Sequence, residues 1–216
     1  AEGQRFESAR VHNNHTIVKQ LPTFTLENNL HKRGIKYVAG IDEAGMGAWA
    51  GPLAVGAVIM PEKFFLANIN DSKKLSPSKR EKLYEQITAT ALAYSVALIS
   101  EKEIDHLGLA QARVKAVQKS LSMLHIKTQY ALLDGYFKEE LPCPYKAIIK
   151  GDQKIISISA ASIIAKVTRD HLLNKLHEQY PAYRFDLHKG YGTKLHSAAL
   201  AAHGPCAIHR DSYAPV

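Results

Sequence analysis

Apolar residues fall along the chain in short runs and helical stripes that predict a mixed α/β domain. Tyr37-Val38-Ala39-Gly40-Ile41 is an apolar run that stops at Asp42, as a strand would. Leu53 to Met60, rich in valine and isoleucine and closed by Pro61, predicts a second strand. A helix is expected from Ser76-Pro77, with serine as its cap and proline at its first position; Ser78 and Glu81 offer an alternative capping box. A third strand follows at Tyr94–Ile99, then helices over about 101–106 and 109–124. Val114, Val117, Leu121 and Leu124 recur at helical spacing in the second of these. Two short strands, Tyr130–Leu133 and Ala147–Ile149, each run into an aspartate. A long helix over about 158–179 carries the stripe Ile158, Ala161, Ala165, Leu172 and Leu176. A last one over about 194–203 ends at Gly204-Pro205.

The order is three strands, helices, two strands, helices. It suits a mixed sheet flanked by helices on both faces, with a helical C-terminal region, rather than a strictly alternating parallel fold. Residues 1–36 are polar and irregular, with Asn13-Asn14 and Asn28-Asn29. They are expected to form an arm with a short helix near Leu26–Arg33, leaving 37–216 as the main domain. The 216 residues allow a sizeable core.

The formal charge of +8 favours a polyanionic partner, because lysine and arginine displace counterions from phosphates. Cys143 and Cys206 stand far apart and form no CxxC pair, which argues against a disulfide framework or a zinc site. The chain shows no basic-then-apolar leader pattern. Its most apolar stretch, Ala48–Met60, is too short to span a bilayer and holds Gly51, Pro52 and Gly56. A monomer of the cytoplasm, away from membranes, is the expectation.

Three predicted strand ends carry acids: Asp42-Glu43, Asp134, and Asp152 after Lys150-Gly151. Any one of them could merely begin a turn. Three in succession in a basic chain point to carboxylates gathered on one sheet edge, where they would repel unless a cation lay between them. An all-oxygen cluster suits magnesium or manganese, and a pair of such ions suits phosphodiester hydrolysis. The segment Gly45-Met46-Gly47-Ala48-Trp49-Ala50-Gly51 invites a rival reading as a dinucleotide-binding turn. That turn needs a helix next, and Pro52 to Ile59 has a strand pattern, so a hairpin is expected instead. His188, His196, His203 and His209 lack the spacing of a helical metal motif and are read as ordinary polar residues.

Five ordered segments resemble the ribonuclease HII family. They are Gly40-Ile41-Asp42-Glu43-Ala44-Gly45 with Ala50-Gly51-Pro52; Asn70 to Ser76; Leu133-Asp134-Gly135; Lys150-Gly151-Asp152 with Ser159 to Asp170; and His188 to Thr193. The resemblance runs from about residue 37 to the C-terminus. It implies a ribonuclease H-like fold and a two-metal mechanism with Mn2+ or Mg2+. The implied reaction cuts the RNA strand of RNA–DNA hybrids, and single ribonucleotides in duplex DNA, leaving a 3′-hydroxyl and a 5′-phosphate. It assigns the metal-binding quartet to Asp42, Glu43, Asp134 and Asp152. Consecutive strand residues face opposite sides, so the strand must end or twist for both Asp42 and Glu43 to reach metal. Tyr191 is implied as the tyrosine that packs on the sugar beside the cut, where a 2′-hydroxyl marks RNA. Gly45, Met46 and Gly47 are expected near that hydroxyl, and Lys73, Lys74, Lys166, Arg169 and Lys189 are candidate phosphate contacts. Lys166 and Arg169, three apart, share a helix face.

The chain departs from the family pattern in three places. Met46 stands where the family has arginine between two glycines, so a guanidinium suited to phosphate is gone. Ala48 and Trp49 replace a proline and an aliphatic residue. Arg210-Asp211-Ser212 replaces Arg-Arg-Ser. A hybrid-binding protein with weakened catalysis is the alternative these departures raise.

Overall fold

The two strands on either side of the glycine-rich segment return on one another. The computed structural model describes residues 21–62, 66, 69–214 and 216. In chain order it contains α1 (Thr25–Lys32), β1 (Val38–Ala44), β2 (Leu53–Ile59), α2 (Pro77–Thr90), β3 (Ala93–Ile99), α3 (Glu101–Leu107), α4 (Leu109–Ser122), β4 (Tyr130–Asp134), β5 (Tyr145–Ile148), α5 (Ile156–Gln179), α6 (Phe185–His188) and α7 (Lys194–His203). Single 3-10 turns lie at Ser72–Lys74, Gly151–Gln153 and Pro181–Tyr183. The first twenty residues of the expected arm lie outside the described residues. The rest of it is docked: α1 buries Glu27, whose Oε1 accepts the Ser157 N–H at 3.0 Å. Among the described residues no helix is long and apolar enough to cross a membrane.

The sheet order is β3-β2-β1-β4-β5. β1 pairs antiparallel with β2, and β2 with β3; β1 pairs parallel with β4, and β4 with β5. This is a mixed sheet with helices on both faces. Side chains alternate along β1. Ala39 and Ile41 point into a core that holds Ile99, Ile104, Ala116, Val117 and Leu121 of the β3, α3 and α4 layer. Gly40 faces the other way, towards α5. A Cβ on Gly40 would overlap the backbone of Ser157, and one on Gly56 would press on Ala161. Glycine is therefore needed at both positions for α5 to lie close against the centre of the sheet. On that face α5 and α2 share a core of Ala160, Ala161, Ile164, Leu83 and Ile87.

Local signals agree with the element ends. Ser76 caps α2 and accepts the Lys79 N–H at 3.4 Å, with Pro77 in the first turn, so Ser76 and not Ser78 is the cap. Ser100 and Glu103 form a full capping box on α3. α6 has no counterpart in the sequence reading. It is one turn of helix between the left-handed residues Arg184 and Lys189, too short to carry a period.

The C-terminal region corrects the reading of its histidines. His188, His196 and His209 are buried and mutually packed. His188 and His196 stack with centroids 4.3 Å apart, and Trp49 lies 5.3 Å from His196. Their bonds dictate the tautomers. His209 Nδ1 accepts the Cys206 N–H (2.8 Å), so its proton sits on Nε2 and is donated to His196 Nε2 (3.0 Å). His196 must then carry its proton on Nδ1, which donates to the Tyr191 carbonyl (3.1 Å). His188 Nδ1 accepts the Gly190 N–H (3.2 Å) and its Nε2–H donates to Tyr183 O (2.7 Å). These bonds are all made only when the three rings are neutral; His209 Nδ1, as an acceptor, then donates nothing to the Cys206 carbonyl 3.2 Å away. Burial lowers the pKa of all three, that of His196 to about 4.

Two predictions follow from this packing. Gly40→Ala should destabilise the protein by about 1–3 kcal/mol through overpacking. Gly47→Ala, whose Cβ would meet nothing within 4 Å, should stay within about 0.5 kcal/mol of the parent. Urea unfolding measures both, and equal stability of the two variants would contradict the close approach of α5.

The second concerns pH. A histidine whose folded pKa lies below its unfolded value of about 6.5 takes up a proton on unfolding between the two values. The stability it contributes is present above pH 6.5 and is lost as pH falls towards about 4. In that window the unfolding free energy of His196→Asn should fall less steeply than that of the parent. Other groups titrate there in both proteins, so the difference in slope isolates His196. Parallel slopes would count against the neutral network.

Candidate active site

The acids come from three different elements. Asp42 lies on β1 opposite Gly56 of β2, Asp134 ends β4, and Asp152 sits in the 3-10 turn after β5. Lys150 in the left-handed region (φ 55°) turns the chain back so that Asp152 meets the strand ends. Carboxylate oxygens of Asp42, Asp134 and Asp152 all lie within 4.8 Å of one another. Asp134 Oδ1 accepts the Gly151 N–H at 2.6 Å and the Asp152 N–H at 3.4 Å. Asp42 Oδ1 accepts the Glu43 N–H at 2.7 Å.

Glu43 does not join the three. β1 continues in register to Ala44, so it does not end at the acids, and alternation sends Glu43 to the α4 face. There Arg113 Nε donates to its Oε2 at 3.2 Å. Glu43 still lines the cavity of about 370 Å³ that Asp42, Asp134, Gly45, Met46, Gly47, Ser72, Lys73, Lys166 and Tyr191 share with it.

Burial and like charge dominate the electrostatics. The Asp42 pKa is raised well above its ordinary value by burial and by Glu43 and Asp134. Asp152 is pushed up to about 6 by burial, Asp134 and Asp71. Burial also raises Glu43, against the pull of Arg113. Burial alone would lower Lys73, yet Asp42, Asp71 and Asp152 outweigh it and hold the ammonium pKa above its usual value. The donor set is wholly oxygen, partly buried and crowded with negative charge. It fits a hard divalent cation such as Mg2+ or Mn2+.

Tyr191 stands across the cavity from the acids. Its hydroxyl accepts the Gly45 N–H at 3.1 Å, and Lys166 Nζ and Arg169 Cζ each lie 5.3 Å from its ring centre. Lys166 pairs with Asp170 at 2.7 Å and lines both this cavity and an adjoining one of about 300 Å³, where Lys189 also lies. Lys189 Nζ donates to Asp186 O. Lys74 is exposed and lines neither cavity.

Arg169 requires a correction. It is fully buried, and its guanidinium donates to Pro52 O (2.8 Å), Lys189 O (2.8 Å) and Ala50 O (2.9 Å). It is not a phosphate contact on the surface. It shares a helix side with Lys166 but turns inward, tying the segment after Gly45 to the Tyr191 turn. A Cβ on Gly45 (φ +94°) would collide with this guanidinium.

Sequence reasoning missed three contributors. Arg210, also buried, donates to Gly51 O (3.0 and 2.9 Å) and Met46 O (3.1 Å). Arg113 reaches in from α4. Asp71, beside Asp152, caps the Ser72–Lys74 turn by accepting the Lys73 N–H at 2.8 Å. Asp71 lay in a segment already singled out. The two arginines carried no periodic signal, because each reaches across the fold, Arg113 to Glu43 70 residues away and Arg210 to Met46 164 residues away.

Comparison with known proteins gives the family of the chain. A ribonuclease HII family profile matches residues 39–216. Ribonuclease HII of Bacillus cereus (strain Q1) is 50% identical over 190 residues, covering 88% of this chain and 74% of that protein. The crystal structure of ribonuclease H2 from Pyrococcus horikoshii OT3 superposes with a TM-score of 0.71 at 30% identity, over 83% of this chain and 94% of that one. Ribonuclease HII of Archaeoglobus fulgidus, solved in a complex with PCNA, gives a TM-score of 0.69 at 26% identity, over 82% and 95%. On its fold, its ordered motifs and these likenesses, the chain belongs to the ribonuclease HII family, metal-dependent endonucleases of the ribonuclease H type.

Proposed function

We propose that this protein hydrolyses the RNA strand of RNA–DNA hybrids and also cuts duplex DNA at single embedded ribonucleotides, leaving a 3′-hydroxyl and a 5′-phosphate. The observation that carries this reading is the convergence of Asp42, Asp134 and Asp152 beside a cavity that Asp42 and Asp134 line together with Tyr191 and the Gly45–Gly47 segment. Asp42, Asp134 and Asp152 would hold divalent cations, with Glu43 contributing from the α4 side; Mn2+ and Mg2+ are the candidates. Bound cations would supply positive charge for the phosphodiester oxygens as negative charge develops in the transition state.

The chain's own residues do the rest. Tyr191 presents a ring on which a ribose can pack, held by the Gly45 N–H and backed by two cations. The glycine backbone leaves room for a 2′-hydroxyl, the group that separates RNA from DNA. Lys73, Lys166 and Lys189 supply charge beside the cavities, and Lys74, in the same turn as Lys73, adds exposed charge outside them. The protein acts as a monomer in the cytoplasm.

Asp134→Asn or Asp152→Asn should abolish most cleavage while leaving the fold intact, since each keeps the side chain's shape and removes one charged oxygen. The assay uses an all-RNA hybrid and a duplex with one ribonucleotide, with Mg2+ and with Mn2+. Full activity of both variants at limiting metal would end the metal assignment. Binding without cleavage by the parent protein would favour a hybrid-binding role.

Met46 packs its side chain against the α4-side core and lines the cavity, while its carbonyl accepts from Arg210 and from the Tyr213 hydroxyl at 2.6 Å. Met46→Arg should tighten hybrid binding by about 1.5–3 kcal/mol, roughly tenfold to a hundredfold, if its guanidinium reaches a phosphate. Binding is measured in the Asp134→Asn background, so that substrate survives. Unchanged affinity would mean that the pinned backbone turns the new side chain away.

A further inference from the structure

The most tightly organised group at the rim of the acidic site is one that the sequence did not flag. Arg113 lies on α4 between Ala112 and Ala116, both fully buried, and these small side chains let the helix sit close against the sheet. Its long side chain then reaches the ends of β1 and β4 together. Nε donates to Glu43 Oε2 (3.2 Å), Nη1 to Tyr136 O (2.7 Å) and Nη2 to Asp134 O (3.0 Å). The guanidinium also lies 5.5 Å from the ring centre of Phe137. One planar group thereby fixes a carboxylate on β1 and the backbone on both sides of Gly135. The side chains of Arg113 and Glu43 are only 14% and 19% exposed, so solvent screens their pairing weakly.

We propose that Arg113 is a positioning residue that holds Glu43 and the Asp134 turn in place and competes with bound cation for the negative charge of the site. This rests on the metal-binding reading given above. Four carboxylates, Asp42, Glu43, Asp134 and Asp152, gather here with Asp71 beside Asp152; Lys73 and Arg113 stand against them, and Lys166 lines the same cavity while paired with Asp170. Arg113 holds Oε2 of Glu43, whereas Oε1 accepts no hydrogen bond among the described residues. Glu43 can therefore offer Oε1 to a cation while Arg113 keeps the other oxygen fixed. Removing the guanidinium has two opposed consequences. The site becomes more negative and attracts a divalent ion more strongly. Glu43 and the Asp134 turn lose the brace that aims them, so turnover falls. An arginine that served only the fold would change stability and leave metal affinity alone.

The test titrates Mn2+ into the substrate-free protein by calorimetry and measures single-turnover cleavage of a hybrid at saturating Mn2+. Arg113→Met should bind Mn2+ roughly threefold to tenfold more tightly, as expected for loss of one nearby positive charge. Its cleavage rate should fall roughly tenfold to a hundredfold. Arg113→Lys keeps the charge without the fork, so its Mn2+ affinity should match the parent within about twofold while part of the rate returns. Arg113→Gln carries the same affinity expectation as Arg113→Met and replaces it if that variant does not fold. Mn2+ affinity that is unchanged or weaker in the neutral variants, with the parent binding normally, overturns the role of Arg113 alone. A parent protein that binds no Mn2+ brings down the metal reading and this inference with it.

Discussion

Repulsion among buried carboxylates is the constraint that the rest of the structure has to meet. Oxygens of Asp42, Asp134 and Asp152 lie within 4.8 Å of one another. Unit charges about 5 Å apart repel by roughly 3 kcal/mol at an effective dielectric constant of about 20. The fold holds the acids there by placing each on a separately anchored segment. Asp42 rides on the central strand, locked by the approach of α5 to Gly40. Asp134 is held by the N–H groups of Gly151 and Asp152, and the backbone of Asp152 by the Ser159 hydroxyl at 2.5 Å. None of these anchors neutralises charge. The raised pKa values of Asp42 and Asp152 are the remaining cost, and a divalent cation is the group that would relieve it.

The opposite wall is organised by buried positive charge. Arg169 and Arg210 are each fully enclosed, a costly state for a cation unless its donors are satisfied. Main-chain carbonyls satisfy them, from Ala50, Pro52 and Lys189 for Arg169 and from Gly51 and Met46 for Arg210. Removing a guanidinium would therefore leave several carbonyls without donors and would free the Gly45–Gly51 segment from its neighbours. The histidine network extends the same bracing to the Tyr191 carbonyl through His196. Burial lowers the Arg169 pKa to about 10, which still leaves it charged at neutral pH.

Much of this was legible in the sequence because it depends on local periodicity. The strand–turn–strand reading of Gly45 to Ile59 followed from the missing helix after Gly51, and the α2 cap from Ser76-Pro77. The three aspartates were visible as acids ending apolar runs. What could not be read was side-chain direction at long range. Arg169 has the same helical spacing from Lys166 whether it points to solvent or beneath the Tyr191 turn. The room left by Gly45 and the carbonyls of Ala50, Pro52 and Lys189, which no helical spacing reveals, draw it inward. The histidines looked ordinary because the segments that carry them meet only in the fold, through the Ala50–His209 and Ala48–Tyr191 bridges.

Adjacent acids on a strand also explain why the quartet divides as it does. Alternation gives Asp42 to the α5 face and Glu43 to the α4 face, and regular pairing of β1 with β2 through Ala44 leaves no freedom to alter this. Asp42 is then buried, with Ser162 of α5 and other acids beside it. Glu43 emerges where α4 can supply a cation. The two residues share a cavity but stand in different electrostatic settings, one with like charge and one with a guanidinium. A site of four equivalent ligands would require the strand to break. Keeping the strand intact makes the ligands unequal and makes the residue facing Glu43 from α4 part of the site's charge balance.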